Sequence, residues 1–363
     1  MRAKAYAPGR VELLGNHTDY NEGVVLGAAI DRGLSMTGQD REEDLITINS
    51  VSMGRAEVRC SELRAQTKQT WVNYALGVIH ELKSLGLPIA GFSANLSGNL
   101  PAGFGLSSSA AFEVATALLL LKLHQRELPP LEIAKACQRA EREFVGVQSG
   151  VLDQVTSIFG RADRAVFFDA RTEEVRTIPF PRNLALIVAE TNCKRQLSDG
   201  SYNERVRETC AAADMLGVGA LRDVSSERLK KSTLPSLLSR RAAHIVGENE
   251  RVWRALDLLA SGDGAGFGAL MNESHESSRY NFDNSSPELD LLVDIARGMP
   301  GVLGARLTGA GFGGATITLC EEKGANVVAQ ELAREYVARG ELHARTFVCK
   351  IGDGAYSRLI SRK

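Results

Sequence analysis

Apolar residues recur along this chain with two periods, and the switches between them mark out the elements. Within Leu45–Val51, Ile46 and Ile48 alternate with Thr47 and Asn49, the two-residue period of a strand. Gly23–Ile30 and Gly91–Leu96 carry the same texture and are expected as strands. Trp71–Leu85 spaces Val72, Leu76, Ile79 and Leu82 at helical intervals, which predicts an amphipathic helix. Ser107–Arg126 is rich in Ala and Leu and opens on serines, so a helix is predicted there, and Leu131–Val145 predicts another behind Pro129–Pro130. The texture changes near Pro181. Leu184–Glu190 is a short apolar run that predicts a buried strand. Helical patterns follow at Tyr202–Leu216, Leu237–Ser261 and Pro287–Arg297, and Gly304–Thr308 and Ala315–Leu319 predict two strands around a glycine turn. Gly262–Gly268, alternating with small residues, reads as a plain connector. Strands and helices mix without regular βαβ alternation. That favours an α+β chain in two lobes, residues 1–180 and 181–363, over a doubly wound sheet.

Composition narrows the class. The 363 residues are 44% hydrophobic and 24% charged, which suits a large core and excludes wholesale disorder. Lys plus Arg is 43 and Asp plus Glu is 44, and this balance argues against a dedicated nucleic-acid or anionic-membrane binder. Cysteines at 60, 137, 193, 210, 320 and 349 form no close pair and read as reduced, buried small hydrophobes, neither a disulfide framework nor a zinc site. MRAKAYAPGRVELLG is no secretory leader, and no apolar run approaches the ~20 residues a membrane span needs. A soluble, cytoplasmic, monomeric protein with small-molecule partners is expected.

Glycine supplies the candidate chemistry. In Pro101–Ala111, glycines run straight into the strongest helix. Unpaired backbone N–H groups and the positive helix end there make an anion site, and Ser107, Ser108 and Ser109 add hydroxyls for phosphate or Mg²⁺. No Gly-Lys-Ser/Thr is present, so this is not a Walker A loop; an over-supplied helix cap is the other reading. Gly309–Gly314 formally matches GxGxxG, but a strand-like segment follows it, and a dinucleotide site is rejected in favour of a glycine hairpin packed close against a ligand or another loop. Gly9–Asn21 gathers Arg10, His17 and Asp19, a set suited to sugar hydroxyls or to an ordinary polar turn. Glu141 and Asp153, separated by a glycine turn, suit a metal ligand and a catalytic carboxylate, or else a solvated helix face.

Taken together, these segments resemble the GHMP sugar and metabolite kinases and, within them, the galactokinases. Gly9–Asn21 is similar to the signature GRVNLIGEHTDYN, Pro101–Ala110 to PxGxGLSSSA, and Leu307–Ala315 to MTGxGFGGC. The likeness covers nearly the whole chain and implies a two-lobed fold with the site between the lobes. It implies ATP and Mg²⁺ as cofactors and phosphoryl transfer to the C1 hydroxyl of galactose. Asp153 would be the catalytic aspartate and Arg10 the cation that stabilises developing charge. Ser109 and Glu141 would hold Mg²⁺. Gly103, Phe104, Gly105, Leu106, Ser107, Ser108 and Ser109 would cradle phosphates, and Asn16, His17, Thr18, Asp19, Gly150 and Tyr202 would hold the sugar. The chain departs from the pattern in three places. The signature's Asn and Glu are exchanged, standing here as Glu12 and Asn16; the family's DDF-type stretch is Tyr280-Asn281-Phe282; and Ala315 replaces a cysteine. In galactokinases the signature glutamate faces the 6-hydroxyl end of the sugar. An amide at Asn16 removes that charge and opens the alternative of another pyranose, galacturonate or N-acetylgalactosamine. A non-catalytic sugar sensor is the remaining reading.

Overall fold

The computed structural model describes residues 1–101, 103–192, 200–340 and 343–360. Its first half is built on two long strands, β1 (Arg2–Leu14) and β2 (Val24–Arg41), followed by β3 (Ile46–Ser50), β4 (Gly54–Val58), helix α1 (Asn73–Ser84) and β5 (Gly91–Gly98). Then come α2 (Ser108–Leu123), α3 (Pro130–Ala140), α4 (Leu152–Phe159), β6 (Arg164–Asp169) and β7 (Val175–Pro179). The second half holds β8 (Leu184–Glu190), α5 (Ser201–Met215), α6 (Ser226–Lys230), α7 (Ser236–Ser261), α8 (Gly264–Ser277) and α9 (Pro287–Arg297). It continues with β9 (Val302–Thr308), β10 (Ala315–Glu321), α10 (Ala325–Gly340), β11 (Arg345–Cys349) and β12 (Tyr356–Leu359).

Two sheets result. The larger runs β12-β1-β2-β5-β3-β4, with β6 on β2 and β7 on β6; among the described residues only β3 and β5 pair in parallel. The smaller, β11-β8-β10-β9, is antiparallel throughout. The change of sheet falls between β7 and β8, in the segment where the sequence texture changes, and β12 alone returns to the first sheet by pairing with β1. One hydrophobic core joins the halves, running from Leu13, Ile30 and Leu120 to Phe267, Met271 and Ile317. α2 is buried on nearly every side, as a helix with apolar residues all round must be, and it fixes the loop before it against both long strands.

Several expectations are corrected. Gly262–Gly268 is not a connector: Asp263 caps α8 by accepting Gly266 N–H at 2.8 Å, and the helix runs through those glycines. Small residues are needed there because a Cβ on Gly268 would lie 2.3 Å from the Leu303 carbonyl of β9. The helix expected to Val145 ends at Ala140, and Glu141–Val145 is a π-turn closed by Gly146 at φ 85°. Cys60, Cys137, Cys320 and Cys349 are buried as expected, whereas Cys210 is exposed and Cys193 lies outside the described residues. No helix among the described residues is long and apolar enough to cross a membrane.

Candidate active site

A cavity of about 540 Å³ opens where β1, the loop before α2, the turn before α4 and the start of α5 meet. Of the residues singled out from sequence, Arg10, Asn16, His17, Asp19, Gly103, Gly105, Ser107, Ser108, Ser109, Glu141, Gly150, Asp153 and Tyr202 line it. Three do not. Thr18 is buried and donates its hydroxyl to Gly15 O (2.8 Å) and Val24 O (2.7 Å), so it builds the turn. Leu106 turns its side chain into the core, and Phe104 contributes no surface to the cavity.

At the centre stands Asp153, in the first turn of α4. Arg10 donates from Nε to its Oδ1 at 2.7 Å, and the Ser107 hydroxyl donates to its Oδ2 at 2.5 Å. Arg10 also donates to Gly105 O at 2.6 Å, and its own N–H bonds Leu106 O at 3.2 Å, so strand β1 and the glycine loop are stapled together. The loop has to turn sharply to do this. Gly103 and Gly105 take φ of 87° and 74°, and Ser107 is left-handed at φ 57°, a strained position for a residue with a side chain. The later glycines close over it: a Cβ on Gly309 would lie 2.9 Å from Gly105 O, which is the loop-against-loop packing expected of that cluster.

Ser109 and Glu141 face the same cavity, and the Ser149 hydroxyl donates to Glu141 Oε2 at 2.6 Å. Behind them Glu113 is fully buried, bonded by Gln154 Nε2 at 2.9 Å. Burial, reinforced by Glu141, pushes its carboxyl well above the usual range.

The other wall is the Gly15–Tyr20 turn. His17 is left-handed at φ 62°; its Nε2 donates to Ala310 O (3.0 Å) and its Nδ1 accepts from the Tyr20 hydroxyl (2.8 Å), while its ring packs on Tyr202 and Phe282. Leu152 N–H donates to Asp19 Oδ2 at 3.2 Å, and burial raises the Asp19 carboxyl, helped by neighbouring Asp153. Asn16 donates to Glu12 Oε1 and to Gly309 O, both at 2.8 Å, and accepts from Asn284 Nδ2 at 2.8 Å. Arg306 completes this cluster with an ion pair to Glu12 at 3.1 Å.

Sequence reasoning missed the support for this turn. Two residues of α7, four apart, carry it: Glu248 accepts Gly15 N–H (2.8 Å) and Asn16 N–H (2.9 Å), and His244 Nε2 donates to Asn16 O (3.1 Å). Their spacing on one helix face was visible, but nothing in the sequence told a buried polar stripe from a solvated one. His244 is wholly buried, and burial takes its pKa down to about 3, with Glu248 pulling the other way. Below the unfolded value of about 6.5, the unfolded chain binds a proton that the folded chain refuses. This share of stability is therefore whole above about pH 6.5 and is lost as pH falls, at about 1.4 kcal/mol per pH unit. Urea unfolding between pH 7 and 4 should show the loss, and His244→Gln should make that slope shallower; an unchanged slope in the variant would contradict the assignment.

Comparison with known proteins agrees with this geometry. Residues 3–39 match the galactokinase galactose-binding signature, 73–161 the GHMP kinases N terminal domain and 255–338 the GHMP kinases C terminal domain. A galactokinase of Roseiflexus sp. (strain RS-1) is 38% identical over 96% of this chain and 91% of its own length. One from Thermotoga neapolitana is 37% identical over 98% and 99%. The crystal structure of Lactococcus lactis galactokinase complexed with galactose superposes with a TM-score of 0.94 at 33% identity, covering 98% of this chain and 94% of that one. A mevalonate kinase structure, at 22% identity and TM-score 0.69, shares the fold. The chain belongs to the galactokinase family of GHMP kinases, ATP-dependent sugar kinases whose two-lobed fold it adopts.

Proposed function

We propose that this protein transfers the γ-phosphoryl group of ATP to the C1 hydroxyl of galactose, giving galactose 1-phosphate and ADP. The observation that carries the reading is Asp153, held between Arg10 and Ser107 where the glycine loop and the sugar turn share one cavity. Phosphoryl transfer needs positioning and charge neutralisation more than covalent help. Asp153 accepts or orients the proton of the attacking hydroxyl. Arg10, nearly buried and fixed at both ends, offsets negative charge as the phosphoryl group moves. The Gly103–Ser109 loop and the start of α2 receive the phosphates.

Ser109 and Glu141 are hard oxygen donors facing the same space, a set that fits Mg²⁺. When bound there, the ion would neutralise phosphate charge. The apolar end of the cavity, lined by Met53, Trp71, Tyr74 and Phe112, suits the adenine base, and the Trp71 indole N–H has no acceptor among the described residues. Asp19, Gly150 and Tyr202 hold the sugar, and His17, whose ring nitrogens are taken by Ala310 O and the Tyr20 hydroxyl, supports them by packing its ring on Tyr202. The two lobes, residues 1–180 and 181–363, meet at the site with β12 reaching back to the first. We read the monomer as the acting unit, as the site residues named here all lie on one chain.

ADP release with Mg-ATP across galactose, glucose, N-acetylgalactosamine, galacturonate and arabinose tests the reading. Turnover is expected on galactose above the others. A better rate on another sugar would overturn the substrate, and ATP binding without turnover on any sugar would favour a sensor.

A further inference from the structure

The exchange of Glu12 and Asn16 has a geometric outcome. Asn16, which the signature places at the sugar, is 0% exposed. Both amide hydrogens are spent, on Glu12 Oε1 and Gly309 O, and its oxygen already accepts from Asn284. Glu12 borders the cavity as Asn16 does, but keeps 4% exposure. Its Oε1 takes both Asn16 and Arg306, whose guanidinium also holds the Leu13 carbonyl at 2.9 Å. Its Oε2 has no hydrogen-bond partner among the described residues, and the residue borders the cavity. Arg10 and Glu12 stand two apart on β1, so they share a strand face roughly 7 Å apart.

We propose that Glu12, not Asn16, is the specificity-determining carboxylate of the sugar site, and that Asn16 and Arg306 are the positioning residues that fix it. The inference rests on the sugar-kinase reading above. With C1 at Asp153, Glu12 accepts a hydroxyl at the far end of the ring, the one on C4 or C6. The carboxylate that Asn16 lacks is thus restored from the adjacent strand. Its charge repels a sugar carboxylate, so the relaxed discrimination against galacturonate that Asn16 suggested is not expected.

Steady-state kinetics on galactose, 4-deoxygalactose, 6-deoxygalactose and galacturonate, for the wild type, Glu12→Gln and Glu12→Asp, test this. Glu12→Gln should raise the galactose KM about 10–100-fold, the worth of a charged hydrogen bond, with the ATP KM within about twofold. The penalty should vanish for one of the two deoxy sugars, and the kcat/KM of galacturonate relative to galactose should rise. Glu12→Asp keeps the charge that Arg306 and Asn16 hold and withdraws the open oxygen, so it should fold and shift the galactose KM the same way. The rise in Tm on adding galactose gives a readout without turnover. A wild type inactive on galactose would sink the proposed function, and the comparison would then run on whichever sugar raises Tm. A wild type active on galactose, with Glu12 variants of unchanged KM, equal penalties on every sugar, or parallel rises in the ATP and galactose KM, overturns the role of Glu12 alone.

Discussion

Asp153→Asn should leave a folded protein that binds ATP and has lost turnover, with kcat down by about 10²–10⁴-fold. The substitution changes almost no volume, so α4 and its packing are kept. What it changes is the hydrogen-bond pattern around one carboxyl. In the native site both oxygens are acceptors: Oδ1 toward Arg10 and Oδ2 toward the Ser107 hydroxyl. An amide must turn its NH₂ toward one of them. Facing Arg10 it sets donor against donor; facing Ser107 it forces that hydroxyl to accept instead. Either way, no group is left that takes the sugar's proton, and Arg10 loses its counter-charge at 4% exposure. On the proposed reading the phosphate contacts come from the glycine loop, so ATP affinity by calorimetry should stay within a few-fold. A variant with kcat within about tenfold of the native value would remove Asp153 from the chemistry and shift the burden to charge neutralisation alone.

The parts of this site that were legible in the sequence are those in which backbone and side chain act locally. The sharp glycine loop running into α2 is legible because its geometry follows from residues next to one another. Strand β8 is legible because a run of six apolar residues closed by Glu190 has few other uses. β1 was not seen: its second half is buried on both faces, so the apolar–polar alternation that marks a strand is absent, and it carries the polar Arg10 and Glu12 inward. Irregular pairing between Pro8 and Arg10 and between Glu12 and Leu14 brackets the two site residues. The Glu141 segment was read as plain helix because a π-turn has no periodicity of its own. Long-range partners were the least legible. Glu248, His244, Asn284 and Arg306 reach the sugar turn from more than two hundred residues away, and only the folded chain shows that their polar atoms converge on Gly15, Asn16 and Glu12.

Gly150→Ala should cost sugar binding rather than folding, raising the galactose KM by about 10–100-fold with little change in the ATP KM. A Cβ at this position would sit 1.7 Å from Asp19 Oδ2 and 1.9 Å from Asp19 Cγ, far inside any contact distance. Something must move. The colliding atoms are the tip of a side chain rather than backbone, so the carboxylate is what gives way, at a stability cost of about 1–3 kcal/mol. Moving it breaks the Leu152 N–H bond to Oδ2 and removes an acceptor from the wall opposite Asp153. A double-mutant cycle separates this account from a general loosening of the turn. In an Asp19→Ala background the collision is gone, and adding Gly150→Ala should change the galactose KM by less than about threefold. Fully additive effects would mean that the methyl group harms the site by another route, and the closeness of Gly150 to Asp19 would then be packing without a part in sugar recognition.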